Sequence, residues 1–132
     1  MKNQKPALGT IAWHDYTSDH ADEMKEFYQA VFNWTSDGIP MKDGEEAYED
    51  YVMKTAEGNV VGGICSNRGK NKGIPTQWMV YITVENPQET AEKAVQLGGK
   101  IIKEYHDKEG KLMYAMIEDP IGTVFGIAKH QD

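Results

Sequence analysis

The sequence predicts an α+β fold of two tandem βαβββ modules, whose strands form one curved mixed sheet, a cup, with both helices on its convex face. Three observations lead there. Residues Asp19 to Trp34 (DHADEMKEFYQAVFNW) and Asn86 to Lys100 (NPQETAEKAVQLGGK) are helix-like passages that echo each other. Each follows a strand-like run, stops at Asn or Gly, and leads into further strand-like segments. A single copy cannot bury its own sheet, whereas two copies in one chain can curve their strands around a shared cavity. Finally, Asp119-Pro120-Ile121-Gly122 sets a hairpin turn between two apolar runs near the C-terminus, with Pro and Gly at the second and fourth places of a type I turn.

The elements follow in order. Thr10 to Thr17 reads as a strand, and Asp19 as the N-cap of a helix with Asp22 and Glu23 in its first turn, where the dipole favours carboxylates. Met24, Phe27, Tyr28, Val31 and Phe32 recur at helical spacing, so Phe27 and Val31 are expected to be buried. Asn33 stops the helix as a left-handed cap. Turn chemistry at Lys42-Asp43-Gly44 and Glu57-Gly58-Asn59 frames a hairpin of Tyr48 to Thr55 and Asn59 to Ser66. Gly38 to Ala47 reads as a loop, which leaves the facing of Tyr48, Tyr51 and Met53 open. The polar, Gly-rich stretch Asn67 to Thr76 links the modules, which span approximately residues 8–66 and 76–129 of a single domain, 1–132. Its Arg68, Lys70 and Lys72 either hold an anion or form a solvated loop. The second module opens on the apolar run Trp78 to Val84. Its helix starts at Asn86 with Pro87 and Glu89 in the first turn and ends at Gly98-Gly99. Strands at Lys100 to Tyr105, Leu112 to Glu118 and Thr123 to Lys129 complete it.

Composition narrows the function. With 14 Lys and Arg against 21 Asp and Glu, the formal charge of −7 argues against a nucleic-acid partner, whose phosphates demand a basic face. No apolar run approaches the ~20 residues that span a bilayer, and MKNQKPALG lacks the apolar core of a signal peptide. The expected location is cytoplasmic. The lone Cys65 excludes an internal disulfide and a thiolate-rich metal cluster, and in its apolar run it reads as a small core residue.

Four segments carry a resemblance: the strand Thr10 to Thr17, the helix signature Phe27-Tyr28-Gln29-Ala30-Val31-Phe32-Asn33-Trp34, the strand Trp78 to Val84, and Glu118 to Gly126 (EDPIGTVFG). From about Leu8 to Lys129 the chain resembles the vicinal oxygen chelate superfamily, which includes glyoxalase I, bleomycin-resistance proteins and extradiol dioxygenases. The resemblance implies a divalent metal held by His, Glu or Gln at four strand positions facing the cup. Gap-free alignment puts Trp13, Met79 and Gly126 at three of them, and the fourth falls in Val60 to Ser66, which holds only Val, Gly, Ile, Cys and Ser. Hard or borderline cations need oxygen or imidazole donors, so the expectation is no metal. A one-residue slip of the first strand would turn His14 inward and restore one ligand. In the unslipped register His14 and Tyr16 point under the helix, while Trp13, Asp15 and Thr17 face the cup. His20, His106 and His130 are not spaced to partner one another, and no Ser or Cys sits in a nucleophile elbow.

The expected lining is therefore Trp13, Asp15, Met79, Tyr81 and Gly126, an apolar cup with one carboxylate. The bland alternative is that Trp13 and Met79 fill a closed core. The first functional reading is a bleomycin-resistance-like protein that binds a small organic molecule without a metal cofactor. The alternative is a metal-dependent lyase or dioxygenase of the glyoxalase type, in which Asp15 is the only catalytic candidate. A third makes the fold an interaction module. A homodimer is expected in any case, since oligomers are common in the resembled superfamily.

Overall fold

The computed structural model describes residues 6–130. Its elements run β1 (Ile11–Ser18), α1 (Ala21–Phe32), β2 (Thr35–Asp43), β3 (Glu46–Lys54) and β4 (Val60–Ser66), then β5 (Trp78–Val84), α2 (Pro87–Gln96), β6 (Lys100–His106), β7 (Leu112–Glu118) and β8 (Val124–Lys129). This is βαβββ twice, in the α+β class expected. The pairing repeats as well. β4 lies parallel to β1 and antiparallel to β3, which pairs with β2; β8 lies parallel to β5 and antiparallel to β7, which pairs with β6.

By contacts the chain divides into two compact units: His14–Trp78, and the described residues up to Trp13 together with those from Met79 on. In the His14–Trp78 unit the core is Ala21, Tyr51, Met53 and Ile64, with Tyr16, Tyr28, Trp34, Val61 and Trp78 packed against it. Met53 and Ile64 are sealed from solvent, and such a side chain contributes about 1.5–3 kcal/mol on burial. Tyr28 is the hub of an aromatic cluster. Its ring lies 5.4 to 6.1 Å from those of Tyr16, Phe32, Trp34 and Trp78, all but one of them nearer than 6 Å, and its hydroxyl accepts from the Trp78 indole at 3.1 Å. Strand alternation puts Tyr16, Tyr51, Met53 and Ile64 on the α1 side and Asp15, Thr17, Tyr48, Asp50, Gly63 and Cys65 on the other.

The helix α1 corrects two expectations, and the hairpin after it a third. Phe27 and Val31 are not buried: they are 52% and 53% exposed, and Phe32 is 55% exposed. The apolar residues come in adjacent pairs, 27 with 28 and 31 with 32, so they cover two neighbouring faces, and only the face of Ala21 and Tyr28 meets the core. The N-cap is His20, not Asp19. The buried Ser18 hydroxyl accepts the His20 N–H at 2.9 Å, which moves the first turn along by one residue. Gly38 to Ala47 is not a loop either, since Thr35–Asp43 pairs residue for residue with Glu46–Lys54. The Asn33 cap is left-handed as expected, with φ 63°.

The second unit packs Ala91 of α2 on Leu112, Ala115, Ile117 and Ile127. Asn86 caps α2 by accepting from Glu89 N–H, with Pro87 at the first turn. A Schellman arrangement closes it: Gly99 N–H bonds to Ala94 O at 2.8 Å and Gly98 N–H to Val95 O at 3.1 Å, made possible by Gly98 at φ 101°. The two hairpin turns use one device. Asp107 Oδ1 accepts from Glu109 and Lys111 N–H, and Asp119 Oδ1 from Ile121 and Thr123 N–H, all at 2.9 to 3.0 Å. Gly9 and Thr10 join this unit by bonds to Thr83.

Candidate functional site

The site builds from the strand faces turned away from the helices. In each module a side chain of the first strand lies across a glycine of the last. Asp15 is paired with Gly63, and Tyr81 with Gly126. A Cβ on Gly63 would stand 2.5 Å from Asp15 Oδ1, and a Cβ on Gly126 would stand 2.5 Å from Tyr81 Cδ2. The space opened by Gly126 is therefore filled by the Tyr81 ring. Met79 is 1% exposed, while Trp13, Asp15 and Tyr81 are half-buried.

In the second unit the register extends this face outward. One row runs Tyr81, Gly126, Met116, Lys103, and two residues along β7 and β6 the pair Tyr114 and Tyr105 shares the same face. The rings of Tyr105 and Tyr114 meet edge to face at 6.0 Å, and the Lys103 ammonium lies 5.8 Å from the Tyr105 ring centre. The sequence reading missed these residues. A one-residue bulge between Ile101 and Lys103 reverses the parity of the edge strand, so simple alternation does not find them.

In the His14–Trp78 unit the unexpected group is Asp50, 5% exposed. Its carboxylate accepts from Ser66 N–H at 2.8 Å and from the Asn71 amide at 3.5 Å. Burial raises its pKa, against lowering by the bonds from Ser66 and Cys65. Burial, with the charges of Asp15 and Asp50 adding to it, pushes the Cys65 thiol far up. Cys65 is thus a protonated donor to Asp50 and no nucleophile. On the opposite face Tyr51 donates to Asp22 Oδ1 at 2.6 Å. That bond, then burial, raises its pKa to about 12.

A polar recess of about 370 Å³ opens at the start of α1, lined by Asp19, Glu23, Tyr48, Ser66 and Arg68 among others. Arg68 bonds Asp43 and Glu46 at 3.2 and 2.7 Å and stacks over Tyr48 at 4.5 Å, and Glu23 faces His20 at 3.0 Å. The linker arginine is therefore tied to carboxylates of its own chain.

The donor set does not fit the divalent metal that the resembled superfamily uses. Trp13, Met79 and Gly126 supply an indole, a thioether and nothing. His14 shares the α1-side face with Tyr16, and among the described residues no three His, Cys, Asp or Glu side chains converge on a point.

Each of the two βαβββ units thus presents a lined strand face opposite its helix. The chain belongs to the Glyoxalase/Bleomycin resistance protein/Dioxygenase superfamily, whose family model matches residues 10–127. It is similar to the "Putative glyoxylase CFP32" of Mycobacterium bovis and of Mycobacterium tuberculosis, 31% identical over 121 residues that cover 92% of this chain and 44% of each relative. The chain thus spans less than half the length of those relatives. Among solved structures, a methylmalonyl-CoA epimerase from Mycobacterium tuberculosis aligns with a TM-score of 0.56 at 9% identity, over 99% of this chain and 95% of that one. A Streptomyces coelicolor methylmalonyl-CoA epimerase in complex with 2-nitronate-propionyl-CoA aligns with 0.54 at 12%, over 96% and 100%. At such identity the likeness is one of fold.

Proposed function

We propose that this protein binds a small organic molecule on the strand faces opposite its helices, through Trp13, Asp15, Met79, Tyr81 and Gly126, and that it does so without a divalent metal. The observation that carries the reading is the lining itself: an aromatic ring laid over Gly126 and no donor set at the metal positions. An apolar surface with a few polar groups is the usual make-up of such a site. The epimerase captured with a CoA compound uses the same fold for a small ligand, which supports the class and leaves the ligand open. The sealed Met79 is a floor residue, and contact falls to Trp13, Asp15 and Tyr81.

The name of the mycobacterial relatives favours a second reading, a glyoxalase-type lyase or dioxygenase with Asp15 as its carboxylate. Metal analysis of dialysed protein separates the two. The metal-free reading expects no stoichiometric zinc, nickel, iron or manganese and unchanged melting with EDTA. One metal per chain, lost on His14→Ala, overturns it. We further propose a cytoplasmic homodimer, since the exposed Phe27, Val31 and Phe32 offer α1 as a surface that a second copy could cover.

A further inference from the structure

From the second unit's strand face we infer that the ligand is a flat organic anion, an aromatic ring system bearing one carboxylate, and that Lys103 fixes its charge. This rests on the small-molecule-binding reading above. Register places Lys103 in the row of Tyr81, Gly126 and Met116, on the face turned away from α2. Its side chain is half-buried. Among the described residues no carboxylate comes within ion-pair distance of it, although the chain carries 21 Asp and Glu against 14 Lys and Arg. Its ammonium instead lies 5.8 Å from the centre of the Tyr105 ring.

Lys103 is half-buried and has no counter-charge among the described residues, and a single ring at 5.8 Å offers its ammonium only weak compensation. A bound carboxylate would supply the missing partner through charge-assisted hydrogen bonds. A cationic ligand would set like charge against Lys103. The rings complete the specification: Tyr105 and Tyr114 stand edge to face beside the ammonium, and Tyr81 lies at the far end of the row. From β5 to β6 there are three strand spacings, about 14 Å. With the lysine stem reaching inward, the remaining span suits one or two fused rings carrying the carboxylate at one end.

The test is calorimetric titration with three probes of one shape: 2-naphthoate, 2-naphthamide and 2-naphthylmethylammonium. The naphthoate should bind tightest. Lys103→Gln should weaken it at least about tenfold, the effect of losing a charged hydrogen-bond partner, and leave naphthamide nearly unchanged. Lys103→Arg should retain naphthoate binding, and the turn variant Lys108→Gln, which alters the same net charge, should have little effect. Circular dichroism of each variant establishes that it is folded. If the ammonium probe binds tightest, or if Lys103→Gln leaves naphthoate binding unchanged, the inference is overturned; the binding reading then survives, provided the bound probe is lost on Tyr81→Ala. If no probe binds the folded wild-type protein, the inference is overturned, while the binding reading, which leaves the ligand open, stands.

Discussion

Gly126→Ala tests the geometry of the candidate site through a single methyl group. The three atoms nearest to the added Cβ all belong to Tyr81, at 2.5, 2.6 and 3.1 Å. Carbon atoms pack best at about 3.5–4.0 Å, so the ring must retreat by about 1 Å. Because the close atoms include Cγ, the retreat has to come from rotation about Cα–Cβ, out of the present ring position. Such overpacking costs about 1–3 kcal/mol. Alanine in a strand recovers roughly 0.5–1 kcal/mol relative to glycine, which offsets part of it. The single variant should therefore be destabilised by about 0.5–2 kcal/mol, from those two contributions together. In a Tyr81→Ala background the clash is gone and the same substitution should become neutral or stabilising. Urea unfolding followed by Trp fluorescence on the four proteins of the cycle gives the coupling, expected at about 1–3 kcal/mol. A coupling below about 0.5 kcal/mol would refute the placement of the Tyr81 ring over Gly126.

Two further outcomes follow from the His14–Trp78 unit. Tyr28→Ala should cost about 3 kcal/mol or more, as a large-to-small change at the hub of the aromatic cluster, while the half-exposed Phe27→Ala should cost about 1 kcal/mol or less and act mainly on self-association, read by sedimentation. Equal costs by chemical denaturation would contradict the assigned face. Tyr51 supplies a pH signature. Its folded pKa of about 12 lies above the ordinary 10.0, so its contribution is complete below pH 10.0 and is lost as pH rises toward about 12. Unfolding midpoints should fall across that window in the wild type and fall less in Tyr51→Phe; parallel profiles would show that the Asp22 bond contributes nothing.

The fold was legible wherever side-chain chemistry dictates backbone geometry. Asn86-Pro87, Gly98-Gly99 and Asp119 to Gly122 each satisfy backbone groups in only one economical way, and the structure uses that way. Where the signal was hydrophobicity alone it failed to choose a side. The apolar band of α1 is wider than the surface that covers it, so Phe27 could not be told from Tyr28. Thr35–Asp43 (TSDGIPMKD) has no alternation, because the strand is held by pairing with its hairpin partner rather than by a buried face. The positions of Trp13, Asp15, Met79, Tyr81 and Gly126 could be written down from the chain, but their depth could not. Burial of Met79 depends on neighbours distant in sequence. Asp50 and Lys103 stayed hidden for opposite reasons: a carboxylate in a strand looks solvated until three donors from β4 and the linker surround it, and a bulge moves the lysine to the other face.

The glycines at 63 and 126 act as sockets. Each holds its strand at a fixed distance from the first strand of its module while leaving the identity of the facing side chain free, and the two copies have filled that freedom differently, one with a carboxylate and one with a phenol. The two modules thus share a frame and differ in the chemistry set against it. Exchange at positions 15 and 81 would change the groups this face presents without asking any strand to move, whereas exchange at 63 or 126 would change the frame itself.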